Sequence, residues 1–310
     1  MTKKIKILII SLKNSKRVIF LKKRLKEIKL QYKIIDGIDG KEFHKKKKLH
    51  LIYNKNQTIK NIDRELSAPE IGAAASHIKA YKYIIKNKIQ QAVIMEDDAY
   101  PSKLLNEWIN NNIKIKNNEI LSFYAYCSGV VQRKPFIKIL KKNIGLHYSK
   151  THLYNSSCYQ INNYTSKKII SITKGKVIGY PDWPFSFSKH KIKFIVTIPF
   201  LTIINDQGIS YLNKARNKIL GKDNPIKKII PDTFLFYVRI LYYLSFLPFI
   251  FRKYKNIAFY YEHFFQKNLF YLLDIFFNNY LNMRKIYYLK KFYVDDLHEI
   301  IFKVKSYKKK

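Results

Sequence analysis

The sequence predicts an α/β fold, a mostly parallel sheet with helices on both faces, and three observations carry that expectation. A strand–helix–strand pattern fills the first forty residues, a capped helix leads into an apolar run at 92–95, and that run stops abruptly at three acids. Strands that alternate with helices of this length are joined by crossovers, and a crossover leaves its two strands parallel.

Residues 6–12 form a β-branched apolar run that ends at Lys13-Asn14-Ser15, which is turn chemistry. Val18, Leu21, Leu25 and Ile28 then recur at helical spacing, so a helix is expected over 18–29. Residues 32–35 make a second short strand, closed by Asp36-Gly37 and Asp39-Gly40. The next stretch, 41–64, is polar, basic and without period, and reads as a loop. Ser67-Ala68-Pro69-Glu70 is a capping box in which the Ser side chain accepts an orphan amide while Glu70 reaches back. Pro69 sits in the first turn, where its missing N–H is no loss. The helix should run to about Lys86, followed by a buried strand at 92–95. Weaker strands are expected at 120–126 and 159–161, then a helix at 166–172 and a strand at 193–198.

Composition bounds the class. Hydrophobic residues are 47% and aromatics 15%, too many for a disordered chain. Nine Gly and nine Pro exclude a fibrous repeat, and two Cys exclude a disulfide scaffold or zinc cluster. Cys127 and Cys158 are expected as free thiols in a reducing, cytoplasmic compartment. The run at 7–10 is too short for the core of a signal peptide.

Sixty Lys and Arg against 21 Asp and Glu give a formal charge of +39. Such a surplus attracts nucleic acid, anionic lipid or phosphorylated substrates; codon bias toward Lys, Ile, Asn, Tyr and Phe is the bland source. Residues 45–48 are the single internal run of four bases, and no nucleic-acid-binding frame surrounds them, so nucleic acid is not an expected partner. The longest apolar stretch, 234–251, is interrupted by Arg239 and Pro248, short of the roughly 20 apolar residues a membrane span needs. It reads as a packed or interfacial helix. Of the 46 Phe and Tyr, 25 fall in residues 228–310, with 15 Lys and Arg against 6 acids. Two units are therefore expected: a main α/β domain over 1–225 and a helical, basic-aromatic appendage over 226–310.

Glu96-Asp97-Asp98 closes the buried strand, and ligands of open α/β sheets sit outside the carboxyl ends of strands. Along an extended chain Glu96 and Asp98 would face one side and Asp97 the other, unless the strand has already turned. Adjacent acids repel unless a cation sits among them, and oxygen ligands suit Mg²⁺ or Mn²⁺. An acidic turn paired with surplus lysine is the competing reading. Glu70 and His77 lie two helical turns apart, with Ala73 and Ala74 between them, a surface that lets a bulky partner approach. A cap for Glu70 and a hydrogen-bonded core position for His77 are the structural alternatives.

Glu70-Ile71-Gly72-Ala73-Ala74-Ala75-Ser76-His77 followed by Ala92-Val93-Ile94-Met95-Glu96-Asp97-Asp98 resembles glycosyltransferase family 25, the lipooligosaccharide galactosyltransferases. Residues 11–17, beginning with Ser11 where the family has Asn and ending in Arg17, are similar to its opening motif. Residues 35–40, with Asp36, resemble the segment that closes its second strand. Ser157-Cys158-Tyr159-Gln160-Ile161-Asn162, the loop Tyr180-Pro181-Asp182-Trp183-Pro184, and Ile209-Ser210-Tyr211 with Arg216 resemble later segments; the likeness ends there.

The resemblance implies a GT-A-like, Rossmann-type transferase. It implies Mn²⁺ or Mg²⁺, and a UDP-sugar, most often UDP-galactose, whose hexose passes with inversion to a hydroxyl of a lipooligosaccharide or oligosaccharide acceptor. UDP-glucose or a UDP-N-acetylhexosamine is the alternative donor. Asp98 and Glu96 are the implied metal ligands; Ser11, Arg17, Asp36, Glu70, His77, Glu96 and Asp97 the implied donor site. Asp182, a lone acid in a Pro-bracketed loop, is the expected general base, with Glu70 second. Trp183 beside it is the expected platform for the acceptor sugar. An acceptor built on a membrane gives the appendage an anionic surface to meet, and the expected location is peripheral, on the inner face of the cytoplasmic membrane.

Overall fold

The computed structural model describes residues 5–124, 130–139, 142–149, 153, 155–185, 191–198, 200–204 and 257–258. Strand β1 (Lys6–Ser11) is buried from its second residue on, as its continuous apolar run requires. Helix α1 (Arg17–Glu27) turns Val18, Leu21 and Leu25 inward. Strand β2 (Lys33–Asp36) then pairs parallel with β1, setting Ser11 opposite Asp36. The expected βαβ unit is formed.

Residues 41–64 depart from the expected loop. They fold into α2 (Gly40–Lys45), a 3-10 turn at Leu49–Leu51 and α3 (Lys55–Ile62). Helices this short show no period in the sequence, and single side chains start them. Asp39 accepts from the Lys41 amide at 2.8 Å and Asn54 from the Gln57 amide at 3.1 Å. Helix α4 (Ala68–Lys86) lies against this segment, and Tyr53 and Leu66 close a second small core with Ile71, Ala74, Ala75, Ile78 and Val177. Of the two alanines expected to admit a partner, Ala74 is thus covered by the chain itself, while Ala73 stays half-buried. A Cβ on Gly40 would stand 1.7 Å from the Ala68 carbonyl oxygen, and one on Gly72 would stand 2.5 Å from the Gly40 nitrogen. Only glycine permits that approach of two backbones.

The capping box of α4 is present, with Ser67 and Glu70 each accepting from the other's amide. The helix delivers the chain to β3 (Gln91–Glu96), which pairs parallel with the free side of β1. The two crossovers, β1 to β2 and β2 to β3, run in opposite directions along the sheet. Right-handed connections therefore place α1 and α4 on opposite faces. The carboxyl ends of β1 and β3 border the crevice where strand order reverses, the usual ligand position in such sheets.

Beyond it come β4 (Ala99–Pro101), α5 (Lys103–Asn110), β5 (Glu119–Ser122), β6 (Val130–Ile139), β7 (Lys142–Ser149), β8 (Cys158–Asn162), α6 (Asn163–Thr173), β9 (Lys193–Ile198), β10 (Thr202–Ile204) and β11 (Ile257–Ala258). The large sheet runs β11-β6-β7-β9-β5-β8-β3-β1-β2, and β4 pairs with β10 separately. Six of its nine strands point one way, while β7, β8 and β11 oppose them. The strands expected at 120–126, 159–161 and 193–198 fall on β5, β8 and β9, and the helix at 166–172 on α6.

Cys158 is a free, buried thiol, and Cys127 lies outside the described residues. So do the boundary at 225, Arg216, the stretch 234–251 and the appendage over 226–310, apart from Ile257–Ala258, which pair with β6. Among the described residues no helix is long and apolar enough to cross a membrane.

Candidate active site

Strand β3 ends at Glu96, and Asp97-Asp98 turn the chain into β4, so the alternation of an extended strand stops one residue before it could align Glu96 with Asp98. Asp97, expected to point away, is instead drawn beneath the start of α1. Its Oδ1 meets Arg17 Nη2 at 2.6 Å, and its Oδ2 accepts from Ser11 Oγ at 3.1 Å. Arg17 Nη1 reaches Asp98 Oδ2 at 3.2 Å, leaving Asp98 Oδ1 buried with no hydrogen-bond partner. Glu96 turns the other way. Its Oε1 accepts from Ser156 Oγ at 2.6 Å and lies 3.2 Å from His77 Nε2.

These two environments drive the carboxyls apart. Burial pushes Asp98 up to about 7, assisted by the Glu96 and Asp97 charges and opposed by Arg17. Burial also works against ionising Glu96, but the hydrogen bonds from His77 and the Ser156 hydroxyl, with the Arg17 charge, outweigh it and hold Glu96 below the usual carboxylate range. One strand end therefore carries a carboxylate kept charged and a carboxyl close to half-protonated at neutral pH. Pairs separated in this way are a mark of functional sites.

His77 is almost fully buried on α4. Its Nδ1 lies 2.8 Å from the Tyr159 hydroxyl, which lies 2.8 Å from the Tyr81 hydroxyl. The neighbouring Ser76 accepts from the Ile38 amide at 2.8 Å and donates to the Gly72 carbonyl at 2.7 Å, fixing the β2–α2 loop. Asp36 is exposed at the end of β2, beside Ser11. Glu70, two turns or about 10 Å along α4 from His77, is wholly buried. Arg64 grips both of its oxygens, at 2.9 and 3.1 Å, and Ser67 adds two donors.

Asp182 is half-buried, and its Oδ2 accepts from the Asn155 amide at 3.3 Å. Asn155 takes φ +83°, a value that asparagine tolerates, and its Oδ1 accepts from the Ser157 amide at 2.7 Å. Ser156, which binds Glu96, lies between those two residues, so a three-residue strap ties Asp182 to the strand end. Trp183 does not serve as the expected sugar platform. Its ring has no exposed surface, because the Pro-bracketed loop turns it inward. There its Nε1 donates to the Leu153 carbonyl at 2.7 Å, and it packs edge-on against Tyr159 at 5.0 Å.

Sequence reasoning missed Arg64, Tyr81, Ser156 and Tyr159 as partners of the site. The register of β8 against β3, Cys158 opposite Met95, is what brings Ser156 to Glu96. Strand pairing of that kind leaves no mark in a single sequence.

Among the described residues no three His, Cys, Asp or Glu side chains form a metal cage. What the cluster offers a cation is the partnerless Asp98 Oδ1, with Glu96 nearby, a sparse set that suits an ion sharing its shell with phosphate oxygens.

No curated protein matches the chain. Among solved structures the chain resembles mannose-1-phosphate geranyltransferase from Thermus thermophilus, 7% identical, with a TM-score of 0.34 over 63% of this chain and 73% of that one. A likeness that distant carries no functional weight. Residues 4–180 match the family model of glycosyltransferase family 25 (LPS biosynthesis protein), more than half of the sequence. The chain belongs to glycosyltransferase family 25.

Proposed function

We propose that this glycosyltransferase moves a hexose, galactose from UDP-galactose foremost, with inversion to a β linkage on a hydroxyl of a lipooligosaccharide sugar. The observation that supports it best is the placement of Glu96, Asp97, Asp98 and Arg17 at the carboxyl ends of β1 and β3, where the strand order reverses. In this reading Asp98, whose Oδ1 has no partner, would hold Mn²⁺ or Mg²⁺ with Glu96 in support. Bound there, such an ion would supply positive charge against the diphosphate of the leaving group.

The chain's own residues have separable tasks. Asp97, with both oxygens engaged by Arg17 and Ser11, holds the guanidinium in place. Arg17 stays about a third exposed, open on one side to donor phosphates. Asp36 at the end of β2 suits the ribose hydroxyls, the task of an acid there in doubly wound sheets. Asp182 takes the proton of the acceptor hydroxyl as that oxygen bonds to the sugar C1 and UDP departs with the bonding electrons. Glu70, gripped by Arg64, serves the donor site by anchoring the start of α4. The appendage over 226–310 meets an anionic membrane carrying the acceptor; truncation after 224 should remove liposome binding and spare activity on soluble sugars.

A donor screen tests the activity: full-length protein, Mn²⁺, UDP-galactose, UDP-glucose and two UDP-N-acetylhexosamines, with simple glucose and N-acetylglucosamine acceptors. Transfer from one UDP-sugar, abolished by EDTA, is expected. The reading fails if UDP does not bind and no sugar is transferred.

A further inference from the structure

The donor site rests on a buried line of hydrogen bonds that ends at its carboxylate. From the interior outward it runs Tyr81 hydroxyl, Tyr159 hydroxyl, His77 Nδ1, His77 Nε2, Glu96 Oε1, with separations of 2.8, 2.8 and 3.2 Å across its three contacts. Tyr81, Tyr159 and His77 have almost no exposed surface. Trp183 packs edge-on against Tyr159, and the His77 and Tyr159 rings lie 5.6 Å apart.

We propose that Tyr159, backed by Tyr81, fixes His77 as its Nε2–H tautomer, so that a proton rather than a lone pair faces Glu96 and holds that carboxylate at the donor site. Counting donors carries the inference. Burial pushes both phenols up, so each keeps its proton and must spend it somewhere. If Tyr81 donates to Tyr159 and Tyr159 donates to Nδ1, then Nε2 carries the ring proton and donates to Glu96. Every buried proton in the line then has an acceptor.

The reverse order fails at both ends. With the ring proton on Nδ1, Tyr159 would donate inward, and the Tyr81 proton would be stranded at full desolvation cost. The Nε2 lone pair would meanwhile face a carboxylate and compete with it for the single Ser156 proton, since Ser156 Oγ lies 3.2 Å from Nε2 and 2.6 Å from Glu96 Oε1. Tyr159 and Tyr81 are therefore positioning residues, two contacts or more from any substrate. A ring nitrogen held by an outer partner is the common way proteins set which face of a histidine does the work.

The inference rests on the reading of Glu96 as part of the donor site, and its test separates the two. In metal-free full-length protein labelled with ¹⁵N-histidine, long-range ¹⁵N–¹H correlation spectra report the tautomer of each ring, with His77→Gln supplying the assignment. A single Nε2–H form is expected for His77 in the wild type. Tyr159→Phe, which deletes only the hydroxyl, should give a mixture of tautomers. An Nδ1–H form in the wild type overturns the proposal, as does a ring unchanged by Tyr159→Phe.

Mn²⁺ affinity supplies the second readout. His77→Leu should weaken it by about 10–100-fold, the usual effect of losing an outer-shell partner. His77→Gln, whose amide nitrogen can stand where Nε2 stood, should restore most of it. Equal losses in the two variants overturn the positioning role. If the wild type binds no Mn²⁺, the cation reading of Glu96 fails while the tautomer result still decides the inference.

Discussion

Asparagine nearly matches the size of aspartate and carries no charge, so Asp98→Asn isolates the electrostatics of the strand end. In the folded chain burial and the Glu96 charge push this carboxyl from 3.8 to about 7 against the pull of Arg17. The unfolded chain thus gives up the proton near pH 4 and the folded chain near pH 7. Between those values the folded state binds more protons, so its stability falls as pH rises, levelling off above about pH 8. Linkage puts the part lost between pH 5 and pH 8 at about 2–3 kcal/mol, or about 5 °C for a chain of this size. The variant has no such proton, so relative to the wild type it should gain that amount over the same interval. Glu96 does not confuse the comparison. Its folded-state value is lowered, so its stabilisation is present above the ordinary Glu range and is lost only on acidifying below it. Urea unfolding of both proteins in EDTA at pH 5 and pH 8, followed by circular dichroism, gives the four numbers needed. A stability difference that is the same at the two pH values refutes the environment assigned to Asp98.

Asp182→Asn should leave UDP affinity intact and lower turnover by at least about a hundredfold, the scale of general-base help; full activity removes Asp182 from the reaction. Glu70→Gln breaks a pair in which the carboxylate is wholly buried, so chemical denaturation should report a loss of about 3 kcal/mol. A stable but inactive Glu70→Gln protein would instead make Glu70 the base. Gly72→Ala places a methyl 2.5 Å from the Gly40 nitrogen and should cost about 1–3 kcal/mol in thermal unfolding, as overpacking does. No change would mean that α2 can withdraw from α4.

Legibility in the sequence followed the range of the interactions involved. Helix α4 could be bounded to the residue because its start is a local device, Ser67 and Glu70 three positions apart with Pro69 between. Strands β1, β3 and β9 announce themselves as apolar runs. The short helices α2 and α3 span too few turns to establish a period, and lysines cover their faces. Strand β6 was hidden for another reason: Arg133, Lys134 and Lys138 interrupt it, and its register shifts between Arg133 and Ile137. At the site, the acids and His77 could be picked out as residue types in a suggestive order. Their division into an Arg17 side and a His77 side depends on where the strand turns and on what β8 brings alongside. Trp183 illustrates the limit: a tryptophan next to a loop acid suits a sugar platform or a core equally, and only the inward turn of the loop decides.

The charge balance supports the proposed reading of the strand end as a site over that of a neutralised acidic turn. With 60 basic residues against 21 acids, a fold has ample means to pair three adjacent carboxylates. Among the described residues a single guanidinium, Arg17, forms ion pairs with Asp97 and Asp98, and the Glu96 partners are a histidine and a serine hydroxyl. No described lysine makes a salt bridge to any of the three. Asp98 Oδ1 is left buried without a hydrogen bond, an arrangement that costs about 1–3 kcal/mol for a polar atom. Surplus lysine would remove that cost if pairing were the purpose. Among the described residues the arrangement leaves negative potential concentrated where β1 and β3 end, beside the Arg17 guanidinium, a distribution that suits the proposed cation between these carboxyls and a donor diphosphate.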